Sequence, residues 1–261
     1  MGLFSSHSCE LVGMVHLLPL PGSAGWSGDM DAVEKAALRD AACLIKGGCD
    51  ALLVENMGDA PYLKGGVHPE TVAAMARIAR EVVRLGIPTG IQILAGANVE
   101  ALGVAVASGA MFIRAEGFAY GHVADEGWIE ASAGPLLRER AKLRSEVQIW
   151  ADVQKKHASH ATTADLSLEE LAHGHAFCGA DALIATGSRT GARTREADLK
   201  ELVAAGLPVV VGSGVDVEDA AVLAIHADAL IVGSAIKEHG DWRMPVDLAR
   251  VRALSEIVHS C

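Results

Sequence analysis

Pro208-Val209-Val210-Val211-Gly212-Ser213-Gly214 and Ala229-Leu230-Ile231-Val232-Gly233-Ser234 share one plan: a short apolar run that breaks into glycine and serine. Short runs rich in Val, Ile and Leu, bounded by turn residues, read as strands buried on both faces. Towards the N-terminus six more such runs recur: Leu11–Val15, Ala51–Val54, Thr89–Ile93, Met111–Ile113, Val147–Val153 and Asp181–Ala185. Pro208–Val211 and Ala229–Val232 bring the number to eight. Amphipathic stretches predicted as helices follow them, over 31–46, 68–85, 98–108, 127–143, 165–177, 194–205, 216–225 and 245–258. Glycines such as Gly47, Gly86, Gly109 and Gly206 supply the stops. Eight strand–helix units in 261 residues predict one α/β domain over residues 1–261, a (β/α)8 TIM barrel. The usual length of that fold is about 250 residues.

Such a barrel carries its active site at the C-terminal ends of its strands. The polar residues that close each run are therefore the candidates: His16, Glu55, Gln92, Arg114, Glu116, Asp152 and Thr186, with Asn56, Asn98 and Gly187 beside them in the pocket. Side chains of a strand alternate between its two faces. In 147–156 that sends Val147, Ile149, Ala151 and Val153 to the helices, and Gln148, Trp150, Asp152, Gln154 and Lys156 to the barrel interior. Asp152 is the expected acid–base group, with Glu55, Glu116 and His16 as further proton carriers. Arg114 and Lys156 would stabilise an enolate or oxyanion, and Lys156 would bind an anion or, if desolvated, form a Schiff base. The competing structural reading makes Arg114 with Glu116, and Asp152 with Lys156, plain ion pairs that close the barrel top.

The two glycine–serine turns carry a second signal. Loops after the seventh and eighth barrel strands frequently bind phosphate. Glycine lets the backbone approach an anion, and free N–H groups with a helix dipole favour its charge. Gly212, Ser213, Gly214, Gly233 and Ser234 are thus the expected phosphate-binding residues. Each turn alone is also an ordinary turn; two in register at these strands form the pattern. Arg189, Thr190 and Arg193 could reach a second anionic group or form a solvated loop. Three loops on the same face are long: Leu17–Met30, Asn56–Val67 and Gly117–Glu126. They are candidate binding loops or lids.

Composition narrows the partners. The hydrophobic fraction of 51% and charged fraction of 21% belong to a globular chain with a large core. A net charge of -11 speaks against nucleic acid and anionic membranes as partners. It leaves room for a phosphorylated small molecule held by backbone amides. Five cysteines without a C-x-x-C pair fit free thiols in a reducing compartment. Met1–Cys9 lacks the basic and apolar regions of a secretory leader, and no run reaches the roughly 18 apolar residues of an integral membrane segment. The expectation is a soluble, cytoplasmic protein. Self-association as a homo-oligomer is compatible with the sequence, though no strand edge or heptad argues for it. His157 and His160 have a short metal-ligand spacing without an obvious third ligand, so neither a metal nor another cofactor is expected.

Five segments carry a family resemblance: Gly13-Met14-Val15-His16-Leu17-Leu18-Pro19-Leu20-Pro21-Gly22, Val54-Glu55-Asn56-Met57-Gly58-Asp59-Ala60-Pro61, Phe112-Ile113-Arg114-Ala115-Glu116, Ala151-Asp152-Val153-Gln154-Lys155-Lys156-His157 and Val211-Gly212-Ser213-Gly214-Val215. From about residue 10 to about residue 258 the chain resembles the BtpA/SgcQ family. The resemblance implies a barrel of the ribulose-phosphate-binding type. Members often carry an Asn-Asp pair after the third strand, where this chain has Asn98 alone in Leu94-Ala95-Gly96-Ala97-Asn98. The family takes its name from a cyanobacterial role in photosystem I accumulation, and other members accompany sugar-uptake genes. Two functions are therefore expected to compete. One is an enzyme on a small phosphorylated metabolite, with isomerase, epimerase or lyase chemistry at the mouth. The other is a non-catalytic assembly or stability factor of the photosystem I biogenesis type.

Overall fold

A computed structural model describes residues 4, 8–186 and 195–261. Eight strands close into an all-parallel barrel: β1 (Glu10–His16), β2 (Ala51–Glu55), β3 (Thr89–Gln92), β4 (Phe112–Ala115), β7 (Gln148–Asp152), β9 (Ala182–Ala185), β10 (Val209–Val211) and β11 (Ala229–Val232). Each strand pairs with the next barrel strand along the chain, and β11 pairs with β1. The remaining strands, β5 (His122–Ala124), β6 (Gly127–Ile129) and β8 (Ala158–Ser159), form a small antiparallel sheet in order β6-β5-β8.

The helices around the barrel are α1 (Met30–Gly47), α2 (Pro69–Val83), α3 (Asn98–Ser108), α4 (Ala133–Lys142), α5 (Leu168–Phe177), α6 (Glu196–Val203), α7 (Ala220–His226) and α8 (Leu248–Val258). Their signals are local. Asp29 caps α1 by accepting the Ala32 N–H, and left-handed Gly48 ends it. Ser167 and Glu170 close a reciprocal capping box on α5. One predicted helix is shortened by a different element. Residues 127–129 are not helical; they form β6 and turn back on β5 as a hairpin. The helical reading of 127–143 overran β6, where half-buried Gly127, exposed Trp128 and buried Ile129 pair antiparallel with β5.

Strand parity divides the core in two. Val12, Met14, Leu53, Phe112, Trp150, Ile184, Val210 and Ile231 point inward and pack together. The alternate residues, such as Leu11, Leu52, Ile113, Ile149 and Leu183, belong to the larger core shared with the helices. Phe112 and Trp150 fill the barrel centre, stacked with ring centroids 3.8 Å apart. Gly90 faces them from β3, and a Cβ there would overlap the Phe112 ring. Gly90→Ala is accordingly expected to cost about 1–3 kcal/mol of stability. The check is a lower urea midpoint at unchanged m value.

Above this apolar plug the inward positions turn polar. The same parity that points Met14, Leu53, Phe112 and Trp150 inward also points His16, Glu55, Arg114 and Asp152 there, one step nearer the strands' C-terminal ends. Among the described residues no helix is long and apolar enough to cross a membrane.

Candidate active site at the barrel mouth

The polar ends of the strands open into a cavity of about 660 Å³. His16, Glu55, Gln92, Arg114, Glu116 and Lys156 line it, as do Gly212, Ser213, Gly214, Gly233 and Ser234. Eleven of the residues selected from sequence are thus brought to one cavity. Five are not. Gly187, with Arg189, Thr190 and Arg193, lies outside the described residues. Asp152, Asn56, Asn98 and Thr186 have other positions, each with a physical reason.

Asp152 lies beneath the cavity wall, with its side chain 1% exposed. Arg114 holds it through a two-pronged contact: Nε donates to Oδ2 and Nη2 to Oδ1, both at 2.9 Å. Both Asp152 oxygens are thus held on one guanidinium. The pairing also differs from the one expected, since Arg114 bonds Asp152 and not Glu116. Its Nη1 reaches further, to the Gly212 carbonyl at 3.1 Å.

Asn56 and Asn98 tie loops together. Asn56 donates to Asp59 Oδ2 at 2.9 Å and accepts from the Leu94 N–H at 2.8 Å. Asp59 in turn accepts from the Leu20 N–H at 2.7 Å. Gly58 lies so close beneath the first loop that a Cβ would stand 2.6 Å from Pro19 N. The loops after β1 and β2 are therefore joined to each other rather than hinged as lids. Asn98 does not cap α3; Ala97 occupies that place. Its amide instead donates to the Glu116 carbonyl at 2.7 Å and to Ser132 Oγ at 2.8 Å. Thr186 donates its hydroxyl to the Gln154 carbonyl and lines a separate cavity between the barrel and α5–α6.

Glu55 and His16 are adjacent strand ends in register, and their side chains approach to 3.5 Å. Burial pushes the Glu55 carboxyl up from 4.5 to about 7, against the pull of Arg114 and Lys156. Burial, aided by the Lys237 charge, pushes His16 down to about 3. The pair therefore sets a carboxyl that holds its proton more tightly than an ordinary glutamate beside an imidazole that stays neutral at neutral pH. That is the condition for a general acid–base group.

Glu116 is also raised, by burial, with Lys155 opposing. Lys155 bridges it at 3.3 Å to Glu126 at 2.8 Å. Glu126 sits at the turn between β5 and β6, so this bridge draws the hairpin over the mouth. Lys155 and Lys156 both line the cavity. The strand ends at Asp152, and beyond it strict alternation no longer sorts neighbouring side chains. That is why Lys155 was not separable from Lys156 by pattern. Tyr62, Asp125, Glu126 and Trp242 also line the cavity and were missed, because each comes from an irregular loop with no period to read.

The glycine turns need one correction. The Gly212 N–H donates to the Ala185 carbonyl at 2.7 Å within the sheet, so it is not a free amide for phosphate. Gly212 instead makes room. A Cβ there would overlap Ile184 Cγ2 and stand 3.0 Å from Thr186 Cγ2 and 3.1 Å from Arg114 Nη2, and one at Gly233 would stand 2.9 Å from His16 Cε1. Gly214 turns the chain with a left-handed φ of 74°. Ser213, Gly214 and Ser234 remain on the cavity wall as the part of the turns that can face an anion.

Comparison with known proteins is consistent across sequence and structure. The BtpA family model matches residues 7–260. An uncharacterized mitochondrial protein of Caenorhabditis elegans is 40% identical over 266 residues, covering 99% of this chain and 96% of that protein. The photosystem I biogenesis protein BtpA of Synechocystis is 38% identical over 259 residues, covering 97% of this chain and 88% of that protein. Among solved structures, phosphoribosyl anthranilate isomerase from Thermus thermophilus superposes with a TM-score of 0.57 at 17% identity, over 96% of this chain and 98% of that one. At that identity the likeness shows the shared barrel fold.

Proposed function

The chain belongs to the BtpA family, and on that premise we propose that it is an enzyme acting on a small phosphorylated metabolite at the barrel mouth. One observation carries the reading: a single cavity of about 660 Å³ brings the buried Glu55 carboxyl, whose pKa burial raises, together with Lys156, which has no ion pair among the described residues, and two serine-bearing turns. That volume suits a small-molecule ligand. Glu55 moves the proton, with neutral His16 beside it. Lys156 and the remaining donors of Arg114 stabilise negative charge that develops on the substrate. Buried Gln92 Oε1 has no hydrogen-bond partner among the described residues and would accept from a substrate hydroxyl or amide. Proton abstraction next to a carbonyl fits these groups, as in isomerisation, epimerisation or carbon–carbon cleavage. Ser213, Gly214 and Ser234 would receive the phosphate, as the corresponding loops do in many barrels. The likeness to barrels such as phosphoribosyl anthranilate isomerase supports a phosphorylated substrate.

The test is a thermal-shift screen of the protein against phosphorylated sugars, nucleotides and inorganic phosphate. A ligand at 100 times its Kd is expected to stabilise the fold by about 2.7 kcal/mol. Ser213→Asp places a negative charge on the turn and is expected to abolish the shift. No shift with any phosphorylated compound would overturn the phosphate assignment.

The second reading, a non-catalytic assembly factor, has one structural observation in its favour. Phe177 on α5 is 93% exposed and Ile225 on α7 is 69% exposed, with Val203 on α6 also outward. Apolar side chains on neighbouring outer helices suit a protein partner. That reading expects biological function to survive Glu55→Gln, whereas the enzyme reading expects it to be lost.

A further inference from the structure

Three cations in and around the mouth are committed to carboxylates. Arg114 is held on Asp152, Lys155 spans Glu116 and Glu126, and buried Lys237 bonds Asp40 at 2.7 Å. Lys156 differs. It lines the cavity, yet among the described residues it has no hydrogen bond or ion pair. A lysine that serves packing or charge balance in such surroundings would take one of the carboxylates nearby. Here Asp152 is occupied by Arg114, Glu116 by Lys155, and Glu55 lies beside His16.

We infer that Lys156 is an imine-forming lysine, and that the substrate of this site is a phosphorylated aldehyde or ketone. The inference rests on the proposed phosphate-binding mouth and specifies its substrate class. Burial and the Arg114 guanidinium both disfavour an ammonium at Lys156, with Glu55, Asp152 and Glu116 acting against them, and the balance lowers its pKa from the ordinary lysine value. A neutral amine is the nucleophile that carbonyl chemistry needs. Arg114 remains as the permanent cation, so the site keeps a positive charge when Lys156 gives up its own.

The step balances without any further reagent. The Lys156 amine attacks the carbonyl carbon; the C–N bond forms and the carbonyl π pair moves to oxygen, which takes a proton from the Glu55 carboxyl. The nitrogen, now carrying two protons, passes one of them to the carbinolamine hydroxyl, and the C–O bond breaks to release water while the nitrogen lone pair forms the C=N bond. The nitrogen keeps its other proton as the iminium. In sum, the carbonyl compound, the neutral Lys156 amine and the Glu55 proton give the protonated imine, the Glu55 carboxylate and one molecule of water. The iminium then accepts the electron pair when a neighbouring C–H or C–C bond breaks, and water later restores amine and carbonyl. Glu55, whose pKa burial raises towards neutral, can both give and take the protons.

Pyridoxal 5'-phosphate is the probe, because it carries an aldehyde and a phosphate on one small ring. The intact protein is exposed to it briefly, reduced with borohydride and digested. Lys156 is expected to carry the reduced adduct, formed on the order of tenfold faster than at exposed Lys35. Excess inorganic phosphate should slow labelling at Lys156 and leave Lys35 unaffected. Labelling at Lys156 no faster than at Lys35 would overturn the inference. Lys156→Arg should lose the adduct and keep the rise in Tm that inorganic phosphate gives. A Tm rise with no preferential labelling removes the imine and leaves the phosphate site. Preferential labelling with neither a Tm rise nor phosphate protection leaves the imine and removes the phosphate site.

Discussion

Asp152→Ala is expected to destabilise the folded chain by about 3–5 kcal/mol, the range for removing one partner of a buried ion pair. For a chain of this size that is a fall in Tm on the order of 10 °C. The reason is the charge left behind. The Arg114 side chain is 6% exposed and donates twice to Asp152, so without the carboxylate its guanidinium is buried with only the Gly212 carbonyl and distant charges to meet it. Arg114→Ala should cost a similar amount by stranding Asp152. Replacing both by apolar residues of similar volume, as in Arg114→Met with Asp152→Leu, should recover most of the loss, because the cost lies in the unpaired ion. Chemical denaturation of the two single variants and the double variant checks this. Additive losses would show that the two residues are not coupled. Activity of an Asp152 variant is therefore to be read together with its stability.

Glu55→Gln tests the proton carrier itself, and it is expected to separate activity from stability. Loss of a general acid–base group lowers turnover by about 10²–10⁴-fold. Stability should move the other way above neutral pH. In the unfolded chain Glu55 ionises near 4.5, and in the folded chain near 7. Between those values the unfolded state has released a proton that the folded state still holds, so stability falls as pH rises through the window. Over the full window this amounts to about 3 kcal/mol. Gln carries no such term. Glu55→Gln should therefore melt higher than the parent at pH 8 and close to it below pH 4.5. His16 acts with the opposite sign. It stays neutral in the folded chain down to about 3 and protonates near 6.5 when unfolded, so stability is lost as pH falls below 6.5. Between 4.5 and 6.5 the two contributions oppose each other in the parent; in Glu55→Gln only the acid-side loss remains. Melting curves across pH 4–8 read this directly. An unchanged profile would mean that Glu55 titrates normally and would remove it from the mechanism.

The sequence alone determined the barrel and the identity of its polar rim. Both depend on short-range patterns. A run such as Val209–Val211 between turn residues is a buried strand wherever it packs, and period-2 alternation carries a side chain's facing along the strand. That is how His16, Glu55, Arg114 and Glu116 could be placed at the mouth together. The pattern failed where local order ends: at the β5–β6 hairpin, and past Asp152, where Lys155 joins Lys156 in the cavity. Only the tertiary structure decided which rim residue does what. Asp152 and Arg114 are 38 residues apart, and their contact closes over both carboxylate oxygens only in the folded barrel. The Gly212 amide is taken by Ala185, and its lack of a side chain clears Ile184, Thr186 and Arg114. Glu55 is pushed up to about 7, and Lys156 down, by burial and by charges across the barrel. Facing is set by bonds between neighbours in the chain. A proton's affinity is set by desolvation and Coulomb forces, which depend on distance through space and have no counterpart in sequence spacing.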